Sequence, residues 1–488
     1  MPTITTGKVS GLEDDGVAVF KGIPFAESPF GPRRFAAPVA AGPWDGTFEA
    51  TRFGPRPPQP TMLPGQPVWD PGEGLDILTV NVWTPDPGGS GLPVMVWIYG
   101  GAYSVGSADW PEYDGARLAR DGVVVVTFNY RVGMEGFGHV DGAPANRGLL
   151  DQVAALRWVR DNIAAFGGDP DNVTIFGESA GAGAVAALMV MPAAAGLFGR
   201  AIAQSVPGPF LSPRLSAHVT DAIMATIGGG SPYDASPARL VEATAAFARE
   251  ELTRGSGRWG RLAWASIPVG PVVDGEVLPA LPWEALAAGA ARDVALIAGF
   301  TREEFRTFQV MDDGQEPDVT GALKALAPDG AEAAYRAALP GATGEDLWVR
   351  LMSDWLFRMP SVLLADAHRG PAYVYELTWA PTPYLGACHG LDVPLVFGAT
   401  KGAMAGMLTG GSPDIERLSE QFRTAWLRFA ATGDPGWPRY EPGTATTHLF
   451  DVEPADVADP EAASHTLWAA AGVTLIDDVP GPAPARRP

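Results

Sequence analysis

The stretch Val173-Thr174-Ile175-Phe176-Gly177-Glu178-Ser179-Ala180-Gly181 limits what this chain can fold into more than any other. A β-type run enters Gly-x-Ser-x-Gly, and a helix of small residues leaves it. A strand that becomes a helix over so few residues leaves no room for side chains at the bend, hence the glycine on each side. The same sharpness forces the central residue into a strained backbone conformation and leaves its hydroxyl exposed. The helix N-terminus adds unpaired N–H groups and a positive dipole end, which favour developing negative charge. The pentapeptide alone recurs by chance, but the strand before it and the helix after it single out Ser179 as a candidate nucleophile.

Such a turn needs a sheet covered by helices. Apolar β-type runs recur between helical patterns at Val17 to Phe20, Leu78 to Trp83, Val94 to Tyr99, Val123 to Asn129, Val173 to Phe176, Ala201 to Gln204, Val294 to Ala298 and Tyr373 to Leu377. Interleaved strands and helices predict an α/β fold. Val123 to Phe128 is apolar without alternation, as expected of a central strand covered on both faces. Leu149 to Phe166 carries apolar residues at helical spacing and leads through a turn, Gly167-Gly168-Asp169-Pro170, into the next strand. Pro207 to Ala290 and Phe305 to Pro371 read as helical insertions over one face of the sheet. No repeat or linker divides the chain, so residues 1–479 are expected to form a single domain, with 480–488 (PGPAPARRP) a disordered tail. The uncharged segment Ser179 to Gly199 has the length of a bilayer helix. Its Ala/Gly content and Pro192 make it a buried soluble helix instead.

Charge narrows the function. With 34 Lys+Arg against 56 Asp+Glu the net charge is −22, and no basic run interrupts it. Such a chain repels polyanions, so nucleic acid and anionic membrane surfaces are excluded as partners. The single cysteine, Cys388, forms neither an intrachain disulfide nor a cysteine metal cluster. The N-terminus lacks the basic and apolar regions of a secretory signal, so a cytoplasmic protein is expected.

Phe166-Gly167-Gly168-Asp169-Pro170-Asp171-Asn172 and the run through Gly181 resemble the signature of type-B carboxylesterases, the family of bacterial para-nitrobenzyl esterases and animal cholinesterases. The blocks Phe20 to Glu27, Leu75 to Trp83, Asn129 to Gly133 and Gly148 to Gln152 resemble family motifs in the same order. The resemblance runs from about residue 7 to about 470. It implies an α/β-hydrolase fold, with a mixed, mostly parallel sheet, and ester hydrolysis without metal or cofactor.

In that fold the chain order is Ser, acid, His, which excludes His139 as the base. Among the later histidines, His389 lies in Cys388-His389-Gly390-Leu391-Asp392, which is similar to the family's catalytic-His block, with Asp392 where a Glu is usual. Gly299-Phe300-Thr301-Arg302-Glu303-Glu304-Phe305 resembles the acid motif and implies Glu304 as the carboxylate that orients the imidazole, with adjacent Glu303 as the alternative. Phe305 stands where the family usually has Gly. Trp97 to Tyr103 is a β run ending in a Gly-rich turn, a weak signal by itself. The resemblance implies that the amides of Gly101 and Ala102 join that of Ala180 as donors to an oxyanion.

Two readings of Glu178 stand open, a negative group serving the site or a buried structural acid. Trp69 is loosely similar in place to the aromatic that stacks on cationic ligands in cholinesterases, against the ordinary reading of a packing residue. Ile77 replaces the cysteine of the family's N-terminal disulfide loop, so the loop before Leu75 is expected to be more mobile than in secreted relatives. Cys388 reads as a packing residue beside the base. The expectation is a serine carboxylesterase for small-molecule esters, monomeric or weakly homo-oligomeric. A carbamate or anilide hydrolase using the same site is the alternative, and a non-catalytic scaffold or adhesion protein is the reading from a different class.

Overall fold

The β-type runs read from the sequence pair into one large sheet, as the computed structural model shows for residues 1–61, 68–252, 258–311 and 316–478. A small sheet is made by β1 (Thr3–Ile4), β2 (Gly7–Ser10) and β5 (Thr47–Glu49). The large sheet contains β3 (Leu12–Asp14), β4 (Val17–Pro24), β6 (Thr79–Thr84), β7 (Leu92–Ile98), β8 (Val124–Phe128), β9 (Gly168–Glu178), β10 (Arg200–Gln204), β11 (Ala295–Thr301), β12 (Ala372–Leu377), β13 (Thr446–Phe450) and β14 (Ala455–Ala458). Their order is β14-β13-β12-β11-β10-β9-β7-β8-β6-β4-β3. All neighbours from β13 through to β8 run parallel, and the pairs outside that span are antiparallel. The fold is the expected α/β-hydrolase arrangement. All five residues of β8 are buried, as its unbroken apolar run requires.

Register decides where the chemistry lies. Trp97 pairs with Phe176 and Ile98 with Gly177, while Gln204 pairs with Glu178 on one side and Gly299 on the other. The carboxyl ends of four parallel strands therefore bring the Gly100 turn, Ser179, Ser205 and the Thr301 to Glu304 segment to one end of the sheet. That is where open α/β sheets bind ligands.

The motif blocks also lock the frame. Asn81 Oδ1 accepts from Gly22 N at 2.8 Å and its Nδ2 donates to Thr127 Oγ1 at 3.0 Å, which ties β4, β6 and β8 together. The fully buried Arg131 makes a two-pronged pair with Asp151, Nε to Oδ2 at 2.8 Å and a terminal nitrogen to Oδ1 at 2.7 Å.

One local reading changes. The residues taken as a turn before the nucleophile strand belong to β9, which begins at Gly168 and shifts register between Leu92 and Val94. Gly167, at φ 86°, makes the break by itself, capping a 3-10 turn, Ile163–Phe166, that follows helix Arg147–Asn162. The uncharged segment after Ser179 is a buried helix, Ala180–Val190. Among the described residues no helix is long and apolar enough to cross a membrane. The tail 480–488, and 62–67 of the loop before Leu75, lie outside the described residues.

Candidate active site

Ser179 sits between β9 and helix Ala180–Val190 with φ 57° and ψ −126°, a region L-residues rarely occupy. Its N–H donates to Gln204 O at 2.9 Å, which fixes the bend against β10. The flanking glycines are needed for space. A Cβ on Gly181 would lie 2.0 Å from Ile98 O, and one on Gly177 would lie 2.7 Å from Gly181 and Ile98 backbone atoms.

His389 comes from a loop that follows β12. Its Nδ1 lies 2.5 Å from Glu304 Oε2. Glu304 is fully buried, and its other oxygen accepts from Ser205 Oγ at 2.6 Å and Thr301 N at 2.8 Å. Glu303, one residue earlier, turns elsewhere. It accepts from Ala387 N at 2.6 Å and so anchors the backbone of the histidine loop. The imidazole is enclosed by Phe357, ring centroid 4.3 Å away, and Phe308, 5.1 Å away, and Thr307 Oγ1 donates to His389 O at 3.2 Å. Phe357 lies in a π-turn, Asp354–Arg358, whose buried Arg358 is paired with Asp354 at 3.0 Å and Glu461 at 2.6 Å. Such turns concentrate at functional sites, and here Leu356 and Phe357 both reach the cavity.

Glu178 lies beside the other ring nitrogen, with Oε1 3.0 Å from His389 Nε2. That oxygen has no hydrogen bond, so the contact is one of charge and distance. Burial first, and then Asp392 and Glu304, push the Glu178 carboxyl up to about 8, against the pull of His389. Burial works to lower His389, but Glu178 and Glu304 prevail and raise it to about 9. Both groups are thus raised above their ordinary values. No hydrogen bond joins Ser179 Oγ to His389 among the described residues, although both line one cavity. In ligand-free enzymes such contacts are often loose and tighten with substrate.

Gly101, Ala102 and Ala180 line the same cavity. Gly101, Ala102 and Tyr103 have φ of 112°, 52° and 58°, a run of left-handed residues that bends the main chain beside the cavity. Among the described residues, none of the three N–H groups is hydrogen-bonded to protein. Three unspent donors at a helix start and a strained turn are suited to a developing oxyanion.

The cavity has a volume of about 430 Å³ and is walled mainly by carbon, including Trp110, Trp264, Ile267, Phe305 and Leu408. Glu178 and His389 are its ionisable side chains apart from Tyr103 and Tyr113. Phe305, in the usual Gly position, is a lining residue. Trp69 does not line the cavity, so the structure does not bring it together with the other candidates. The remaining histidines do not line it either. Cys388 is fully buried, and burial raises its thiol to about 11, which keeps it an inert packing group. Among the described residues no group of three His, Cys, Asp or Glu side chains is disposed to hold a metal ion.

Three supporting residues escaped the sequence reading. Ser205, at φ 60°, holds the buried oxygen of Glu304, and its signal was its place one residue past a β run. Tyr375 and Gln204 both donate to Asp392 Oδ2, at 2.6 and 3.0 Å, and no local pattern marked that convergence.

Comparison with known proteins gives matches along most of the chain. The sequence model of the carboxylesterase family matches residues 2–455. The para-nitrobenzyl esterase of Bacillus subtilis (strain 168) is 37% identical over 481 residues, covering 94% of this chain and 96% of that protein. Fumonisin B1 esterase of Sphingopyxis macrogoltabida is 36% identical, covering 89% and 84%. A solved PNB esterase structure superposes with a TM-score of 0.85 at 35% identity over 96% of this chain and 99% of that one.

Proposed function

The chain belongs to the carboxylesterase family, and from that membership we propose that it hydrolyses carboxylic esters with Ser179 as nucleophile, His389 as base and Glu304 as the orienting acid, residues 1–479 acting as one catalytic domain. Ser179 Oγ attacks the ester carbonyl as His389 Nε2 takes its proton. The carbonyl oxygen, now negative, accepts from the Gly101, Ala102 and Ala180 amides. Collapse of the tetrahedral intermediate expels the alcohol, protonated by His389. Water, activated by the same imidazole, then releases the acid and restores Ser179. Glu304 keeps the Nδ1 proton in place and stabilises the imidazolium formed in each half-reaction.

One observation carries this reading. A serine at a strained strand-to-helix turn, an imidazole held by a buried carboxylate and three unspent amides meet in one carbon-walled cavity. Its chemistry needs neutral imidazole, and the neighbouring Glu178 carboxyl favours the protonated ring. A cytoplasmic location fits a lone, buried cysteine.

Ser179→Ala is expected to reduce hydrolysis of p-nitrophenyl acetate by about 10⁴–10⁶-fold, and to abolish covalent labelling by an organophosphate. Full activity in the variant refutes the assignment, and a wild type that neither hydrolyses nor labels points to the scaffold reading.

A further inference from the structure

The helix that carries Phe357 is interrupted at its centre. Gly344–Ser353 runs into the π-turn Asp354–Arg358 and continues as Met359–Ala367. Fully buried serines flank the interruption, Ser353 immediately before it and Ser361 after it. Each spends its side-chain oxygen on main chain beside the acid of the triad. Phe305 N, one residue past Glu304, donates to Ser353 Oγ at 3.0 Å. Val206 N, one residue past the Ser205 that holds Glu304 Oε1, donates to Ser361 Oγ at 2.9 Å. Since β10 ends at Gln204 and β11 at Thr301, both bonds catch chain that has just left the sheet and its ladder of partners.

The turn between the serines meets the base. Phe357 lies against the imidazole, and Leu356 O accepts from Gly208 N at 2.9 Å, a second tie to the segment after Ser205. One helix thus touches the imidazole, the chain after the acid and the chain after the residue that braces the acid. Its register is held by buried charge. Asp354 pairs with Arg358 at 3.0 Å and with Arg350 at 3.4 Å, and Glu461, from a distant segment, takes both arginines. A slide of the π-turn would leave one of these charges buried and unpaired, which strongly favours the single arrangement.

We propose that Ser353 and Ser361 are positioning residues of the triad. From either side of the π-turn they hold the chain that follows Glu304 and the chain that follows Ser205, and so set the contact between Glu304 Oε2 and His389 Nδ1. The inference rests on the esterase reading and adds to it two residues that lie outside the cavity and touch no reacting atom.

The test measures three things on Ser353→Ala, Ser361→Ala and the double variant: kcat and KM for p-nitrophenyl acetate, the far-downfield proton resonance of the His389 Nδ1–H held by Glu304, and the urea midpoint. Each single variant is expected to lower kcat by about 10-fold with KM within about twofold of wild type, since a misplacement of about 1 Å away from the chemistry can cost about 10²-fold. The resonance is expected to shift or broaden in the same variants. Ser→Cys at either position keeps the shape, weakens the acceptor and takes the place of an alanine variant that does not fold. Thr84→Ala is the comparison for a merely structural loss: Thr84 is fully buried and its hydroxyl donates to Phe166 O at 2.7 Å, just ahead of the β9 end that lies away from Ser179. It is expected to lower the urea midpoint and leave kcat and the resonance unchanged. Serine variants that lose stability but keep the wild-type kcat and resonance overturn the proposal, and so does a Thr84→Ala that loses kcat equally. Failure of the underlying esterase reading looks different: the wild type does not turn over p-nitrophenyl acetate, or Ser179→Ala still does, while the resonance continues to report on the two serines.

Discussion

Glu178→Gln is the most informative substitution, because it removes a charge from the base and leaves the shape of the cavity intact. In the wild type Glu178 Oε1 stands 3.0 Å from His389 Nε2, and the imidazole titrates near 9. At that distance, and with an effective dielectric of about 20, the gross attraction between carboxylate and imidazolium is about 5–6 kcal/mol. Burial of the imidazolium opposes it, and close carboxylate partners in proteins displace a titration by about one to three pH units. Only neutral imidazole can accept the Ser179 proton, so kcat/KM on the acid side rises as His389 loses its own. For the wild type that rise is expected to centre near pH 9, over a limb steepened by the joint titration of Glu178. In Glu178→Gln it moves down by about one to three pH units, with the slope of a single proton, and activity at pH 7 increases. The assay is kcat/KM for a neutral p-nitrophenyl ester from pH 5.5 to 10, corrected for spontaneous hydrolysis. A limb that stays where it was shows that Glu178 does not hold the proton on His389, and the electrostatic account of the site then fails.

Glu304→Gln is expected to lower kcat by about 10⁴-fold, since an amide can neither hold the imidazole tautomer nor stabilise the imidazolium. Glu303→Gln, which alters a contact to Ala387 N, should cost less than about tenfold in the same assay, and equal losses refute the division of labour between the two acids. Asp151→Ala leaves Arg131 buried and unpaired and should destabilise the protein by about 3–5 kcal/mol, read as a lower urea midpoint; an unchanged midpoint refutes it. His465 lies 2.8 Å from Asp366 and 3.2 Å from Asp459, and its hydrogen bond to Asp366 raises its titration despite burial. The resulting stability is fully present below the ordinary histidine value of about 6.5 and is lost as pH rises through the raised folded value. His465→Gln should therefore destabilise more at pH 5.5 than at pH 9, and equal effects at both refute the linkage.

Much of the site was legible because its signals are local. Ser179 was marked by the steric needs of one sharp bend, and the structure supplies the atoms that impose them, Ile98 O against Gly181 above all. The strands were legible from apolar runs, although β9 begins inside what read as a turn, because Gly168 pairs with Leu92 ahead of the register shift that holds Asp169 and Pro170. The choice between Glu303 and Glu304 was not open to local reasoning. Neighbouring residues leave a strand end in different directions, and the backbone of the histidine loop determined which met the imidazole. Trp69 shows the converse case, an aromatic residue in a promising place that the fold keeps away from the cavity.

By itself, then, the sequence determined the strand-to-helix turn, the small residues around it and the set of groups that catalysis needs, because each of these follows from neighbours along the chain. Only the tertiary structure decided that Glu178 shares the imidazole with Glu304 and that Ser205 braces the acid. Those contacts join segments tens to hundreds of residues apart, and their geometry comes from strand register and loop packing, which no single stretch of sequence contains.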